Sequence, residues 1–234
     1  MTAIDDETAG PRAAMVAAVR RALDEISEQS GSVEVPPRVL AALGSVPRHR
    51  FVPPEHAAEA YLNRPLPIGY GQTISQPLIV ALMTALLDLE PSDTVLDVGT
   101  GSGYQAAILA ELAGSVYTIE TIAPLAQRAE ATFAALGLDT IQVRVGDGRL
   151  GWPEAAPFDA ILVAAAPEKI PEALVAQLKP GGRLVMPVGA AGAQQLIVVE
   201  KRSDQSTILR EIIPVCFVPL TRPEASSKEP GSSR

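Results

Sequence analysis

Three closely spaced glycines give the strongest local signal for chemistry in the sequence. The segment TVLDVGTGSGYQAAILA carries them as Gly99, Gly101 and Gly103, directly after the apolar run Val95–Val98. Glycine tolerates the positive φ angles of a tight strand-to-helix turn and lets a ligand approach backbone N–H groups at a helix N-terminus. The spacing therefore predicts a ligand-binding turn, with a glycine-rich turn that binds nothing as the simpler alternative.

An acidic residue follows at the position where ribose hydroxyls are usually bound. Glu120 closes the run VYTIE, about 20 residues after Gly99, as in nucleotide-binding α/β units. A dinucleotide fingerprint would place its third glycine where this sequence has Tyr104, which disfavours a nicotinamide oxidoreductase. A further carboxylate, Asp147 in VGDGR, also ends a predicted strand. By itself, Asp147 is explained equally well as a turn residue between glycines.

The elements that position these residues alternate between strand and helix. The predicted strands are Thr94–Val98, Ser115–Glu120, Thr140–Val145, Phe158–Val163 and Arg183–Pro187, and the predicted helices between them are Tyr104–Leu112, Ile122–Leu136 and Glu168–Leu178. Continuous apolar strands that alternate with helices indicate a parallel sheet covered on both faces. The runs Gln195–Lys201 and Ile208–Val218 have no helical pattern between them. We therefore expect a doubly wound α/β sheet with an antiparallel end.

A helical segment is expected to precede the sheet. Apolar spacing predicts helices at Pro11–Glu28, Pro37–Leu43, Glu55–Tyr61 and Leu78–Leu87, the last of them apolar on all sides and therefore buried. The stretch RPLPIGYGQTISQP is too rich in proline and glycine for a helix. The chain is accordingly divided into a flexible tail (1–10), a helical segment (11–75), a ligand-binding core (76–221) and a second flexible tail (222–234).

Composition and charge argue against several classes of protein. The chain has 234 residues, of which 47% are hydrophobic and 20% charged, as in globular proteins. Its net charge of −8 argues against a nucleic-acid-binding or anionic-membrane surface. One cysteine and two histidines are too few for a zinc site, so no metal is expected. An acidic N-terminus and short apolar runs disfavour a signal peptide and a membrane span, and we expect a soluble, cytoplasmic protein.

Several segments, in the order of the sequence, resemble one known family. With Asp97 before it, the G-x-G-x-G spacing is similar to the first motif of class I S-adenosylmethionine-dependent methyltransferases. GYGQTISQP, GDGRLGW, FDAILVAAAP, LKPGGRLVMPVG and FVPL resemble the protein-L-isoaspartate O-methyltransferases. The resemblance spans roughly residues 46–221. It implies a Rossmann-like methyltransferase fold, the cofactor S-adenosyl-L-methionine with S-adenosyl-L-homocysteine as its product, and isoaspartyl proteins as substrates.

The resemblance also implies roles for individual residues. Ser75 would be the active-site hydroxyl, within a lid segment (72–75) between cofactor and substrate. The residues implied to contact the cofactor are Gln72, Thr73, Ile74, Ser75, Asp97, Gly99, Gly101, Ser102, Gly103, Glu120, Thr121, Asp147, Gly148 and Thr221. Those implied to border the substrate are Ser75, Val218, Pro219 and Leu220. Without the resemblance, Ser75 is better explained as a helix cap two residues before Pro77.

Three other features are interpreted as structural. Arg48, His49 and Arg50 form a short basic run, for which a solvated face is favoured over a substrate site. Cys216 has no accompanying histidine or aspartate motif and is predicted to lie buried in a strand. Trp152 is predicted to pack against the protein rather than to stack on a cofactor.

The activity that the resemblance implies is a carboxyl methylation that starts protein repair. The family methylates the free α-carboxylate of isoaspartate, and the ester closes to a succinimide that reopens in part to normal aspartate. Because that carboxylate is already ionised at pH 7, no general base is required. Two alternatives stay open, a relative that acts on one dedicated peptide and a catalytically silent cofactor-binding relative. A monomer without nucleic-acid or membrane partners is expected.

Overall fold

Most strands of the protein form one mixed sheet. The computed structural model describes residues 8–30 and 34–222. Its strands are β1 (Leu66–Gly69), β2 (Gln72–Ile74), β3 (Thr94–Val98), β4 (Ser115–Glu120), β5 (Ile141–Val145), β6 (Phe158–Val163), β7 (Leu178–Val188), β8 (Gln194–Lys201) and β9 (Thr207–Val215). Seven of them form a sheet in the order β5-β4-β3-β6-β7-β8-β9. The pairs from β5 to β7 are parallel and the last two are antiparallel, which confirms the predicted fold class.

Helices cover this sheet and form most of the segment before it. The α-helices are α1 (Ala9–Ser30), α2 (Pro37–Ser45), α3 (Pro77–Leu87), α4 (Tyr104–Ala110), α5 (Ala123–Leu136) and α6 (Glu172–Ala176), and short 3-10 helices occupy Arg48–Phe51, Pro54–Glu59 and Gly148–Leu150. No helix of the described residues is long and apolar enough to cross a membrane. The predicted flexible tails fall largely on residues 1–7 and 223–234, which lie outside the described residues.

Side chains of the central strands alternate between two apolar layers. On β3, Val95 packs into the layer that includes α1 to α5, whereas Leu96 and Val98 pack into the layer that includes α6. All three side chains are 0% exposed, as expected for a parallel strand with both faces covered. The carboxyl end of β3 is thereby fixed between β4 and β6, where the strand order reverses. Ligands of open α/β sheets bind at this point.

A hairpin occupies the segment for which the sequence predicted only the absence of a helix. Strands β1 and β2 pair antiparallel, with Leu66 opposite Ile74. Leu66 and Ile68 are buried while Pro67 and Gly69 are exposed, so the alternation of a half-buried strand is present in LPIG. Proline and glycine conceal this pattern in the sequence. The hairpin leads directly from the helical segment to Ser75.

Two predictions about single residues are wrong. Arg48 was expected on a solvated face, but its side chain is fully buried, because the 3-10 helix that carries it packs against the hairpin and α4. Cys216 was expected inside a strand, but β9 ends at Val215 and Cys216 is exposed in the connection beyond it. The prediction for Trp152 is confirmed, since its ring meets that of Tyr117 edge-on at 5.2 Å.

The predicted helix at Glu168–Leu178 is much shorter in the structure. Helix α6 covers only Glu172–Ala176 and follows Pro171 as its N-cap residue. Proline disfavours helical geometry at the residue before it, so the helix does not begin earlier. The chain enters β7 at Leu178, which leaves room for little more than one turn.

Gly103 shows how the turn and its helix depend on close packing. A Cβ atom at Gly103 would lie 2.6 Å from Cζ of Phe133 on α5, and the backbone has φ +89°. We predict that Gly103→Ala lowers the free energy of unfolding by roughly 2–4 kcal/mol, measured by urea denaturation. Gly181→Ala is the matched control, because φ is +85° there and nothing lies within 4 Å. Equal losses in the two variants would mean that backbone strain alone, and not the contact with Phe133, requires glycine.

Candidate functional site

The candidate site is a pocket at the carboxyl ends of β3, β4 and β6. It has a volume of about 780 Å³, part of it open to solvent, within the range of sites for small ligands. The residues predicted from the sequence that line it are Gln72, Thr73, Ile74, Ser75, Gly99, Gly101, Ser102, Glu120, Thr121, Gly148, Val218, Pro219, Leu220 and Thr221. Segments that are far apart in the chain thus meet around one cavity.

The glycine turn forms the floor of the pocket and is tied to the neighbouring strand. The N–H groups of Gly99 and Thr100 donate to the carbonyl oxygen of Ile119 at 2.8 and 3.2 Å. Gly99 and Gly101 have φ angles of +96° and +54°, which glycine adopts without a Cβ penalty. The chain then enters α4 with Gly103 as its N-cap residue. The turn is therefore fixed before any ligand binds.

Glu120 holds the turn and presents a carboxylate to the pocket. Its Oε2 accepts from the N–H of Gly101 at 2.7 Å, and its Oε1 accepts from the N–H of Ile122 at 2.9 Å. A carboxylate has about four acceptor positions, so each oxygen keeps capacity for another donor. The neighbouring residue Thr121 has a buried hydroxyl oxygen without a hydrogen-bond partner among the described residues. Two adjacent groups are thus available for a ligand that carries hydroxyls.

Asp97 lies below the turn rather than in the pocket wall. It is fully buried, and its Oδ2 accepts from the Thr118 hydroxyl at 2.8 Å, while the hydroxyls of Thr118 and Thr100 lie 2.7 Å apart. Burial raises the pKa of Asp97 to about 7, with the hydrogen bond from Thr118 opposing this shift and the charge of Glu120 adding to it. The chain of hydroxyls links Asp97 to the turn, so Asp97 supports the site from behind.

Ser75 lies at the end of the hairpin on the side of the pocket facing the turn. Helix α3 begins at Pro77 with Gln76 as its N-cap residue and without a side-chain cap. Helix capping, the simpler explanation for Ser75, therefore does not apply. Its hydroxyl makes no hydrogen bond to another described residue, whereas its carbonyl oxygen accepts from Nη2 of Arg48 at 2.8 Å. The backbone of Ser75 is held while its hydroxyl stays available.

The segment Val218–Leu220 forms another wall and is anchored by backbone pairing. The N–H of Ala166 donates to the carbonyl oxygen of Val218 at 2.8 Å, and the N–H of Leu220 donates to that of Ala166 at 2.9 Å. The buried side chain of Gln194 pairs with both the N–H and the carbonyl oxygen of Phe217. The FVPL segment is consequently fixed at the end of β6, although it lies near the end of the described chain.

Three predicted cofactor residues do not line the pocket. Gly103 packs against α5, Asp97 lies beneath the turn, and Asp147 is bound to the Arg149 guanidinium. That pairing holds the pKa of Asp147 below its ordinary value. Sequence reasoning also missed lining residues, namely Val80, Val98, Thr100, Tyr104, Gln105, Ile119, Ile122, Ala164 and Ala165. Those that directly follow β3 or β6 could have been found from the rule that sites form at strand ends.

Comparison with known proteins identifies the family. A model described as protein-L-isoaspartate(D-aspartate) O-methyltransferase (PCMT) matches residues 20–225. The chain belongs to this family. A Polaromonas sp. protein named protein-L-isoaspartate O-methyltransferase 2 is 58% identical over 84% of this chain and 94% of its own length. Protein-L-isoaspartate O-methyltransferase 1 of Cupriavidus necator is 53% identical over 94% of this chain and 85% of its own.

A solved structure supports the fold independently of close sequence similarity. It is described as a candidate protein-L-isoaspartate O-methyltransferase from Plasmodium falciparum in complex with S-adenosyl-L-homocysteine. It superimposes with a TM-score of 0.75 over 90% of this chain and 98% of its own, at 23% sequence identity. The likeness in fold therefore extends over most of the chain.

The family's cofactor fits the groups that this pocket offers. A ribose has two vicinal hydroxyls, and Glu120 and Thr121 leave acceptor positions and an unpartnered buried hydroxyl beside the turn. Among the described residues, no three His, Cys, Asp or Glu side chains are grouped as a metal site requires. The pocket thus offers the acceptors that the hydroxyls of a ribose need.

The buried carboxyl group of Asp97 predicts a pH dependence of stability. Between about pH 4 and pH 7 the folded state keeps a proton on Asp97 that the unfolded state has released. The free energy of unfolding of wild type, relative to that of Asp97→Asn, should therefore fall as the pH rises from about 4 to 7 and level off above pH 7. The expected fall is a few kcal/mol, because each pKa unit corresponds to about 1.4 kcal/mol. Urea unfolding of both proteins across this range measures the difference. A difference that is constant with pH would contradict the raised pKa.

Proposed function

We propose that this protein is an S-adenosylmethionine-dependent protein-L-isoaspartate O-methyltransferase. The observation that supports it best is the meeting of three segments around one pocket: the glycine turn with Glu120, the hairpin ending in Ser75, and the segment Val218–Leu220. The first offers acceptors for a nucleoside, so we assign the cofactor to it and the methyl acceptor to the other two. Family membership agrees with this division into a donor and an acceptor side.

The chemistry requires alignment more than proton transfer. When bound, S-adenosylmethionine supplies a methyl group on a positively charged sulfur that leaves as a thioether. The acceptor, the α-carboxylate of an isoaspartyl residue, is ionised at pH 7 and needs no base. His49 and His56 do not line the pocket, in agreement with that requirement. The protein's contribution is then to hold the two reactants in line, which by itself accounts for large rate enhancements.

The described residues divide this work between them. Glu120 accepts hydrogen bonds from the ribose hydroxyls while it keeps its bonds to Gly101 and Ile122. The Ser75 hydroxyl donates to the carboxylate oxygen that does not react, so that the other oxygen points at the methyl group. Val218–Leu220 border the backbone of the substrate peptide. Isoaspartate and aspartate differ in the position of the free carboxylate relative to the peptide backbone. A Ser75 hydroxyl held at a fixed position can therefore distinguish the two residues.

The surroundings of the enzyme follow from its charge and its substrate. A net charge of −8 supports a protein without nucleic-acid or anionic-membrane partners. We propose a cytoplasmic location, in which isoaspartyl residues of intracellular proteins would be its substrates. One chain contains both sides of the pocket, and a monomer therefore suffices.

The function is tested with two peptides that differ only in isoaspartate against aspartate. With labelled S-adenosylmethionine, we expect base-labile methyl ester, released as methanol, from the isoaspartyl peptide and at most traces from its partner. A purified protein that binds the cofactor but methylates neither peptide would contradict the repair function. It would favour a dedicated peptide substrate or a catalytically silent relative.

Ser75→Ala should separate catalysis from cofactor binding. The Ser75 hydroxyl has no partner among the described residues. Removing this hydroxyl therefore deletes a contact to the acceptor and disturbs little else. We expect kcat for the isoaspartyl peptide to fall at least about 10-fold, while the Kd of S-adenosylhomocysteine by calorimetry changes less than threefold. Ser45→Ala, which removes an exposed hydroxyl on α2, is the control. Parallel losses in kcat and cofactor affinity would show that Ser75 merely shapes the cofactor side.

Glu120→Gln should instead weaken cofactor binding. It removes the charge and replaces one acceptor oxygen by a donor that faces a backbone N–H, so we expect S-adenosylhomocysteine to bind about 10- to 100-fold more weakly. Calorimetric titration measures this directly. Glu130→Gln, on the exposed face of α5, is the matched control. Unchanged affinity in Glu120→Gln would exclude Glu120 from the ribose site.

A further inference from the structure

Arg48 is a buried cation directly behind the wall of the pocket. Its side chain is 0% exposed. Nε donates to the carbonyl oxygen of Ala60 and Nη2 to that of Ser75, both at 2.8 Å. The guanidinium carbon lies 4.8 Å from the centroid of the Tyr104 ring. Since Ser75 and Tyr104 both line the pocket, Arg48 contacts the wall from its far side.

No carboxylate neutralises this charge within residues 8–30 and 34–222. The ion pairs of these residues involve other cations. The titratable groups that face Arg48 are the tyrosines Tyr104 and Tyr61, and neither supplies a negative charge at pH 7. Burial lowers the pKa of Arg48 to about 10, which leaves the guanidinium charged at neutral pH. A buried charge without a counter-ion is costly, and among the described residues two carbonyl oxygens and the face of the Tyr104 ring offset it.

The substrate supplies the opposite charge that no described residue places beside Arg48. An isoaspartyl α-carboxylate is anionic at pH 7, and the proposed function places it beside Ser75, whose carbonyl oxygen Arg48 holds. On the donor side the buried acid that lines the pocket is Glu120, which suits a cofactor that carries positive charge. A charge within a poorly solvated wall acts over a longer distance than one in water. The two sides of the pocket therefore have opposite electrostatic character.

We propose that Arg48 is a positioning residue for the methyl acceptor: it fixes Ser75 through its carbonyl oxygen and supplies the positive charge that favours the substrate carboxylate. This inference rests on the proposed function. A purely structural role would require only the hydrogen bonds of Arg48. In the proposed role, the charge of the guanidinium also contributes to acceptor binding. Loss of Arg48 should consequently weaken acceptor binding and turnover much more than cofactor binding.

The test compares Arg48→Met, Arg48→Lys and the control Arg50→Met. Methionine fills part of the space without charge or donors, whereas lysine keeps the charge and can reach only one of the two carbonyls. Arg50 lies on the same 3-10 helix with an exposed side chain. For each variant, kcat and KM for the isoaspartyl peptide are measured beside the Kd of S-adenosylhomocysteine and the unfolding midpoint. If Arg48→Met does not fold, Arg48→Gln replaces it.

We expect kcat/KM to fall about 10²-fold in Arg48→Met, with a raised KM, and about 10-fold in Arg48→Lys. Cofactor affinity should stay within threefold of wild type in both, and Arg50→Met should match wild type. Equal losses in the methionine and lysine variants, or a parallel loss of cofactor affinity, would overturn the inference. Wild-type protein that fails to methylate the peptide would instead overturn the proposed function, so the two failures are distinguishable within one assay.

Discussion

The two hydrogen bonds that Glu120 accepts are the constraint on which the site depends. They join Gly101 in the turn after β3 to Ile122 at the start of α5, and so lock two neighbouring strand ends in one geometry. Parallel pairing of β3 with β4 places Asp97 opposite Thr118 in the layer below. The proposed nucleoside side of the pocket is thereby built at the ends of two neighbouring strands. Everything on the acceptor side must be brought to it by other segments.

The proposed acceptor side is assembled from one segment that precedes β3 and another that follows β9. The hairpin of β1 and β2 carries Ser75 from the helical segment, and the pairing of Ala166 with Val218 and Leu220 brings in the C-terminal wall. Arg48 connects the first of these to the pocket wall by its bond to Ser75. The proposed donor side therefore rests on strand ends, whereas the proposed acceptor side rests on connecting segments that hydrogen bonds hold in place.

The sequence predicts those parts of the molecule that depend on local pattern. Strand period, helix period and turn residues are encoded over short distances. The sequence therefore predicts the glycine turn, the position of Glu120 at a strand end and the succession of strands along the chain. The hairpin was missed because Pro67 and Gly69 conceal its alternation, and Arg48 was misplaced because burial of a cation depends on Ser75, Ala60 and Tyr104, which are distant in sequence. Likewise, nothing local reveals that Asp97 supports the turn from below while Gly103 packs on Phe133.

We infer that the turn fixed by Glu120 receives the nucleoside without rearrangement. The most direct measurement is a crystal structure of this chain with S-adenosylhomocysteine. We predict that both ribose hydroxyls lie within hydrogen-bond distance of the Glu120 carboxylate while its bonds to Gly101 and Ile122 persist. A nucleoside bound elsewhere, or a Glu120 that has released the turn, would contradict the account.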